Sequence, residues 1–176
     1  MLFQHSHIHA IVPLSLWPRF ENLLAESGLY RVSNFHVLPS VGFFKPVRFP
    51  LSITFNASTV VNEVPLDDSM ILMRKFQFTD FDDLYQEALQ NDEQQRGAYA
   101  TDVIGVLENL QQVQTMQTSS GVKQVLRFTI SDGRHIFDVC FWDPLNFNFD
   151  ELYGNHVDLP VIVILAGTRL ILKDGL

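Results

Sequence analysis

Apolar and polar residues alternate, or cluster, in a succession of short β-like runs along this chain. HSHIHAIV alternates, with Ile8 opposed to His7 and His9, and predicts a strand of about seven residues. LYRVSNFHV alternates from Tyr30 and Val32, as a half-buried strand does. SITFNASTVVNEV is rich in β-branched residues and predicts another. Further on, DVIGVLENL, VKQVLRFTIS, HIFDVCFW and PVIVIL read as strands, the middle two joined at the turn signal SDGRH. Helical spacing is confined to three places. Trp17, Phe20, Leu23 and Leu24 mark a helix over residues 17–26, with Gly28 as its stop. Thr79 followed by Asp82 predicts a helix N-cap leading into the acidic, Gln-rich stretch TDFDDLYQEALQNDEQQ. The third is the short piece FNFDELYG.

The same layout occurs twice: a β-rich segment ends in an aromatic stretch, followed by a short helical piece and another strand. Three strands, a helix and a strand is the order from which a small Greek-key barrel of the OB type is built. The fold expected is therefore mainly β: two small OB-fold barrels in tandem, over residues 1–78 and 101–176. An acidic helical linker, 79–100, joins them.

The chain has 176 residues, 47% of them apolar and 18% charged, which suits a packed core. Fifteen Phe residues are many for this length, and core packing accounts for most of them. The single cysteine, Cys140, excludes a disulfide framework and a cysteine-cluster zinc site. In IFDVCFW it reads as a small buried hydrophobe. No apolar run approaches the roughly 20 residues of a membrane span, and the N-terminus has no signal-like pattern. The expected setting is an intracellular, reducing compartment without a membrane partner.

The formal charge of −8 opposes binding to a polyanion. Its distribution softens that. Residues 1–60 carry four Lys or Arg against two acids, while residues 61–100 carry three against nine. Docking of a strand depends on local patches more than on the total. His5, His7 and His9 fall on one side of a strand, a spacing that can hold a metal. No carboxylate or cysteine nearby in sequence completes such a site, so a solvent-facing strand is the expectation. Asp80, Asp82, Asp83 and Glu87 read as a solvated helix face. No catalytic motif is present, and the expected class is not an enzyme, with neither cofactor nor metal.

The ordered set IHAIVP, GLYRVSNFHV, FFKPVRFPLSITFNASTVV, KFQFTDFDDL, DVIGVLENL, GVKQVLRFTISDGRHIFDVCFWD and PVIVILAGTRL resembles the large subunit of replication protein A, in its plant-type form with tandem OB folds. The resemblance runs along nearly the whole chain. It implies a first barrel lacking its initial strands and a second lacking its closing strand. It implies single-stranded DNA binding in DNA replication, recombination or repair, in the nucleus, with other replication protein A subunits or self-association as further partnerships. The first barrel's stacking pair falls on Phe44 and Phe76, and the second barrel's first aromatic on Trp142. The remaining platform falls near Lys173, where no aromatic stands. Lys45, Arg48, Arg74, Lys75, Lys123 and Arg127 are the cations placed to steady phosphates.

The residues themselves allow a plainer role at each position. Phe44 lies in the Gly/Pro-flanked basic loop VGFFKPVR, which suits base stacking, yet one of the Phe pair can cap a barrel. Alternation in RKFQF puts Phe76 and Phe78 on one face, where core packing competes with stacking. Trp142 ends a strand as a core lid does, and Asp143 beside it opposes phosphate. A degenerate OB-fold module that contacts proteins and has lost DNA binding is the alternative reading.

Overall fold

The computed structural model describes residues 7–42, 44–65, 75–93, 98–143 and 160–172. Of the described residues, 46% are in strands and 12% in helices, so the mainly β expectation holds. The chain divides into two compact units. One comprises Met1–Phe76, Ala88–Ala100 and Arg169–Leu176, the other Gln77–Glu87 and Thr101–Thr168. Residues 79–100, expected as a linker, contribute to both. Among the described residues, no helix is long and apolar enough to cross a membrane.

The first unit contains β1 (His9–Ile11), α1 (Trp17–Phe20), β2 (Tyr30–Ser33), β3 (His36–Pro39), β4 (Phe44–Lys45), β5 (Leu51–Thr54) and β6 (Val60–Glu63). β5 is central to a three-stranded sheet, parallel to β1 and antiparallel to β3. β2 and β6 pair antiparallel. The core is Phe20, Ile53 and Phe55, with Val12, Leu16, Leu24, Val32, Phe35 and Val61 packed against it. The Phe20 and Phe55 rings meet edge to face, centroids 5.1 Å apart, a preferred aromatic geometry.

Here the expected elements are shorter than their sequence patterns. β1 has three residues rather than seven, and Ile8 is exposed while His7 and His9 are half-buried. LYRVSNFHV forms two strands because Asn34 turns the chain between them at φ 60°. Asparagine tolerates that left-handed conformation at low cost. SITFNASTVVNEV likewise splits at Asn56–Thr59, where Asn56 Oδ1 accepts the Ser58 N–H at 2.7 Å, an Asx turn. The two turns are tied together. Thr59, fully buried, donates its hydroxyl to Asn34 O at 3.0 Å, and Asn56 Nδ2 donates to the same oxygen at 2.9 Å. Arg19 lies over the Phe20 ring and donates to the carbonyls of Ala57 and Thr59. The expected helix over 17–26 is four residues long, preceded by a 3-10 turn at Leu14–Leu16. After Phe20 the backbone tightens, Leu23 N–H returning to Phe20 O, and Leu23 stays exposed. A Cβ at Gly28 would run into the Tyr30 ring and hydroxyl, the latter held by the Ala25 N–H.

α2 (Phe81–Glu93) starts with Asp80 immediately before it, one residue later than the cap expected at Thr79. Asp82 and Asp83 occupy its first turn, where they complement the helix dipole. Phe81, Leu84 and Ala88 form its buried stripe, and Asp82 and Asp83 are exposed. β7 (Ala98–Tyr99) follows and pairs parallel with β4.

The second unit is built on β8 (Thr101–Glu108), β9 (Gln114–Thr118), β10 (Gly121–Ser131), β11 (Ile136–Trp142) and β12 (Ile162–Thr168). The sheet order is β11-β10-β8-β12, with β9 added on β10. Its inward residues are Val103, Leu107, Leu126, Phe128, Ile130 and Leu165. Phe81 of α2 meets Phe137 edge to face at 5.3 Å and lies over Gly105, where a Cβ would come within 3.0 Å of the ring. Asp102 organises one end. Its Oδ2 accepts the Gln77 N–H and its Oδ1 the Gly167 N–H, both at 2.9 Å, while its carbonyl accepts from Thr79 N–H. Cys140 corrects the sequence reading: it is exposed. It shares the outward phase of β11 with Asp138 and Trp142, whereas Phe137, Val139 and Phe141 point in.

The fold yields two expectations. Asp102→Asn replaces one acceptor oxygen by an amide that faces an N–H donor. It should cost about 1–3 kcal/mol in urea denaturation; an unchanged midpoint refutes the anchoring role. At the β10–β11 turn, Asp132 accepts the N–H groups of His135 and Arg134, which lower its pKa to about 2. A depressed carboxyl stabilises the turn above its ordinary pKa, and that contribution disappears as pH falls through about 2. A carboxyl-carbon NMR titration should place Asp132 well below the other aspartates.

Candidate nucleic-acid interface

The expected site residues fall into two groups, one in each unit, with Arg74 outside the described residues. In the first unit, Phe44 and Lys45 form β4, held against Ala98 and Tyr99 in parallel register. The Lys45 ammonium lies 5.1 Å from the centre of the Tyr99 ring, and Ala100 N–H donates to Lys45 O at 2.8 Å. Tyr99 was not singled out in the sequence, because a two-residue parallel pair leaves no periodic signal. Arg48 is exposed in the turn that follows β4. Lys75 is half-buried and Phe76 is 38% exposed. Full core burial, the plainer role for Phe76, is therefore not what the structure has.

In the second unit the geometry is more complete. Side chains alternate across a strand, so Lys123, Val125 and Arg127 of β10 share the outward face. Val125 pairs with Gln114 of β9 on one side and Trp142 of β11 on the other, giving a three-strand row. Lys123 pairs with Met116, and Arg127 with Cys140. Trp142 is 37% exposed, while Val125 between the flanking strands is fully buried. The pairing of β10 with β11 thus brings Lys123, Arg127 and Trp142 to one face.

Arg127 does not extend freely. Its Nη1 donates to Gln114 Oε1 at 2.7 Å and its Nη2 to Met116 Sδ at 3.1 Å. Gln114 and Met116 are site-face residues that the sequence reading missed; only the strand register reveals them. Asp143, expected to oppose phosphate, is turned back on the sheet. Its Oδ2 accepts the Gln124 N–H at 2.8 Å, and its Oδ1 is buried without a hydrogen-bond partner. Among the described residues, no group of three or more His, Cys, Asp or Glu side chains is placed to hold a metal ion.

No family model matches the chain, and no curated protein matches it. Among solved structures, it is similar to a chain of a replication protein A heterotrimer bound to ssDNA, at 21% sequence identity and a TM-score of 0.51. The likeness covers 92% of this chain and 36% of the other, so the chain spans about a third of the protein chain it resembles. What the two share is the mainly β fold of the OB type.

Proposed function

We propose that the chain is a non-enzymatic single-stranded DNA-binding module of the replication protein A type. In this reading it acts in the nucleus in DNA replication, recombination or repair, with other subunits of that complex or a second copy as protein partners. The observation that carries the proposal is the half-exposed Trp142 on one outward sheet face with Arg127 and Lys123. An aromatic platform flanked by cations is what a strand needs for stacking and backbone contact. Phe44, Phe76, Lys45, Arg48, Arg74 and Lys75 form the corresponding set of the first unit. A second reading, a protein-interaction module that has lost DNA binding, draws on the net charge of −8 and on the exposed Ile104, Ile162 and Ile164 of β8 and β12.

Fluorescence anisotropy with a labelled oligo-dT separates the two. Salt-dependent binding is expected, and no binding at low salt would favour the second reading. Trp142→Ala and Phe44→Ala should each weaken binding by about 1–3 kcal/mol while the thermal transition stays cooperative. Parental affinity in either variant removes that residue from the site. With about two to four phosphates neutralised, log K should fall against log salt with a slope of about −1.5 to −3. A slope steeper than about −5 would mean that the basic surface lies elsewhere.

A further inference from the structure

We propose that Asp143 is a positioning residue for Trp142: its carboxylate clamps the end of β11 to Gln124 of β10 and so fixes the indole on the outward face. The inference rests on the single-strand reading above and names what holds the aromatic on which that reading depends. By charge alone, a carboxylate next to the platform only repels phosphate. The geometry gives it a second role, opposite in sign.

β10 and β11 pair in antiparallel register from Ser131 and Ile136 as far as Val125 and Trp142. Trp142 is therefore the last residue of the ladder, the kind of position that opens most easily. The next pair, Gln124 and Asp143, is closed in a different way. Asp143 N–H donates to Gln124 O at 3.2 Å. In a regular antiparallel pair the Asp143 carbonyl would accept in return. Here the side chain accepts instead, Oδ2 taking the Gln124 N–H at 2.8 Å. Main chain and side chain of one residue thus engage both backbone groups of Gln124. The second carboxylate oxygen, Oδ1, is buried, so the side chain is packed into the strand end rather than extended into solvent.

Trp142 lies between this clamp and the pair Leu126–Phe141, and Val125 opposite it is fully buried. Both of its neighbours in the chain are fixed to β10, which sets the direction in which its side chain leaves the strand. Trp142 itself stays more than a third exposed, open to a base. An indole on a frayed end would have to be ordered on binding, at a cost in affinity. The clamp removes that cost in advance. Gln124 is exposed, so water can take up its N–H when the carboxylate is removed, and the fold does not depend on the contact.

The test titrates a labelled oligo-dT of about 12 nucleotides, within the site sizes usual for OB folds, with the full 176-residue chain. Parent, Asp143→Asn and Asp143→Ala are compared at two salt concentrations. Asparagine keeps an acceptor for the Gln124 N–H and removes the charge, whereas alanine removes both. The Asn variant should bind as tightly as the parent or more tightly. The Ala variant should bind about fivefold or more weakly, the lower end of what one stacked base contributes. That gap should persist at both salt concentrations, because the two variants are equally neutral at this position. In proton–nitrogen correlation spectra of the free protein, the Trp142 indole N–H should shift and broaden in Asp143→Ala and stay near its parental position in Asp143→Asn, with Trp17 unmoved in both. An Ala variant that binds at least as tightly as the Asn variant would show that Asp143 acts through charge alone and overturn the positioning role. An Asn variant as weak as the Ala variant, or a Trp17 signal that moves with Trp142, would overturn it too. A parent that binds no oligo-dT at low salt overturns the single-strand reading itself, and the indole spectra then still decide whether Asp143 orients Trp142. A parent that binds, with both variants at parental affinity, overturns this inference only.

Discussion

Two backbone N–H groups from distant parts of the chain converge on one carboxylate, that of Asp102. Much of the second unit follows from this. Fixing Gln77 lays residues 77–79 along the start of β8, where Phe78 and Asp102 form a parallel bridge. Thr79 N–H then reaches the Asp102 carbonyl, and α2 begins two residues later. That entry delivers the Phe81 ring onto Gly105, the one β8 residue without a side chain in its path. The other carboxylate oxygen holds Gly167 at φ 67°, where β12 shifts register against β8. A charged acceptor serving two N–H groups is worth more than two neutral hydrogen bonds, and its removal strands both donors.

The same economy of local contacts shapes the outward face of β9, β10 and β11. A chain with a net charge of −8 repels a polyanion at long range, yet that field is screened beyond about 8–10 Å in physiological salt. Within that distance, the face presents Lys123 and Arg127 together with the carboxylate of Asp138, while Asp143 is tied to the backbone of Gln124.

The long strands were legible because each has one buried face. In β11 the phase is set by Asp138, which cannot point inward, and Cys140 and Trp142 share its parity. Reading Cys140 as buried ignored that parity and relied on residue type. The first unit was less legible because its elements are short. Runs such as LYRVSNFHV have strand composition throughout, and what divides them is a single left-handed residue, Asn34, whose turn is held by Thr59 and Asn56 from another segment. The helical spacing of Trp17, Phe20, Leu23 and Leu24 is present, but only Phe20 is fully buried. A helix is extended by the packing of its apolar face, and beyond Phe20 only Leu24 of this set packs against the core, while Leu23 is exposed.

By itself the sequence determined the mainly β composition, the alternation of the long strands and the presence of one cysteine. These rest on local quantities: alternation, turn residues and counts. Only the tertiary structure decided that Gln114 and Met116 hold Arg127, that Tyr99 lies against Lys45, and that Asp102 joins Gln77 to Gly167. Each of these depends on strand register or on a crossing between segments far apart in the chain. A periodic pattern says which face a residue takes, and only pairing says what stands opposite it.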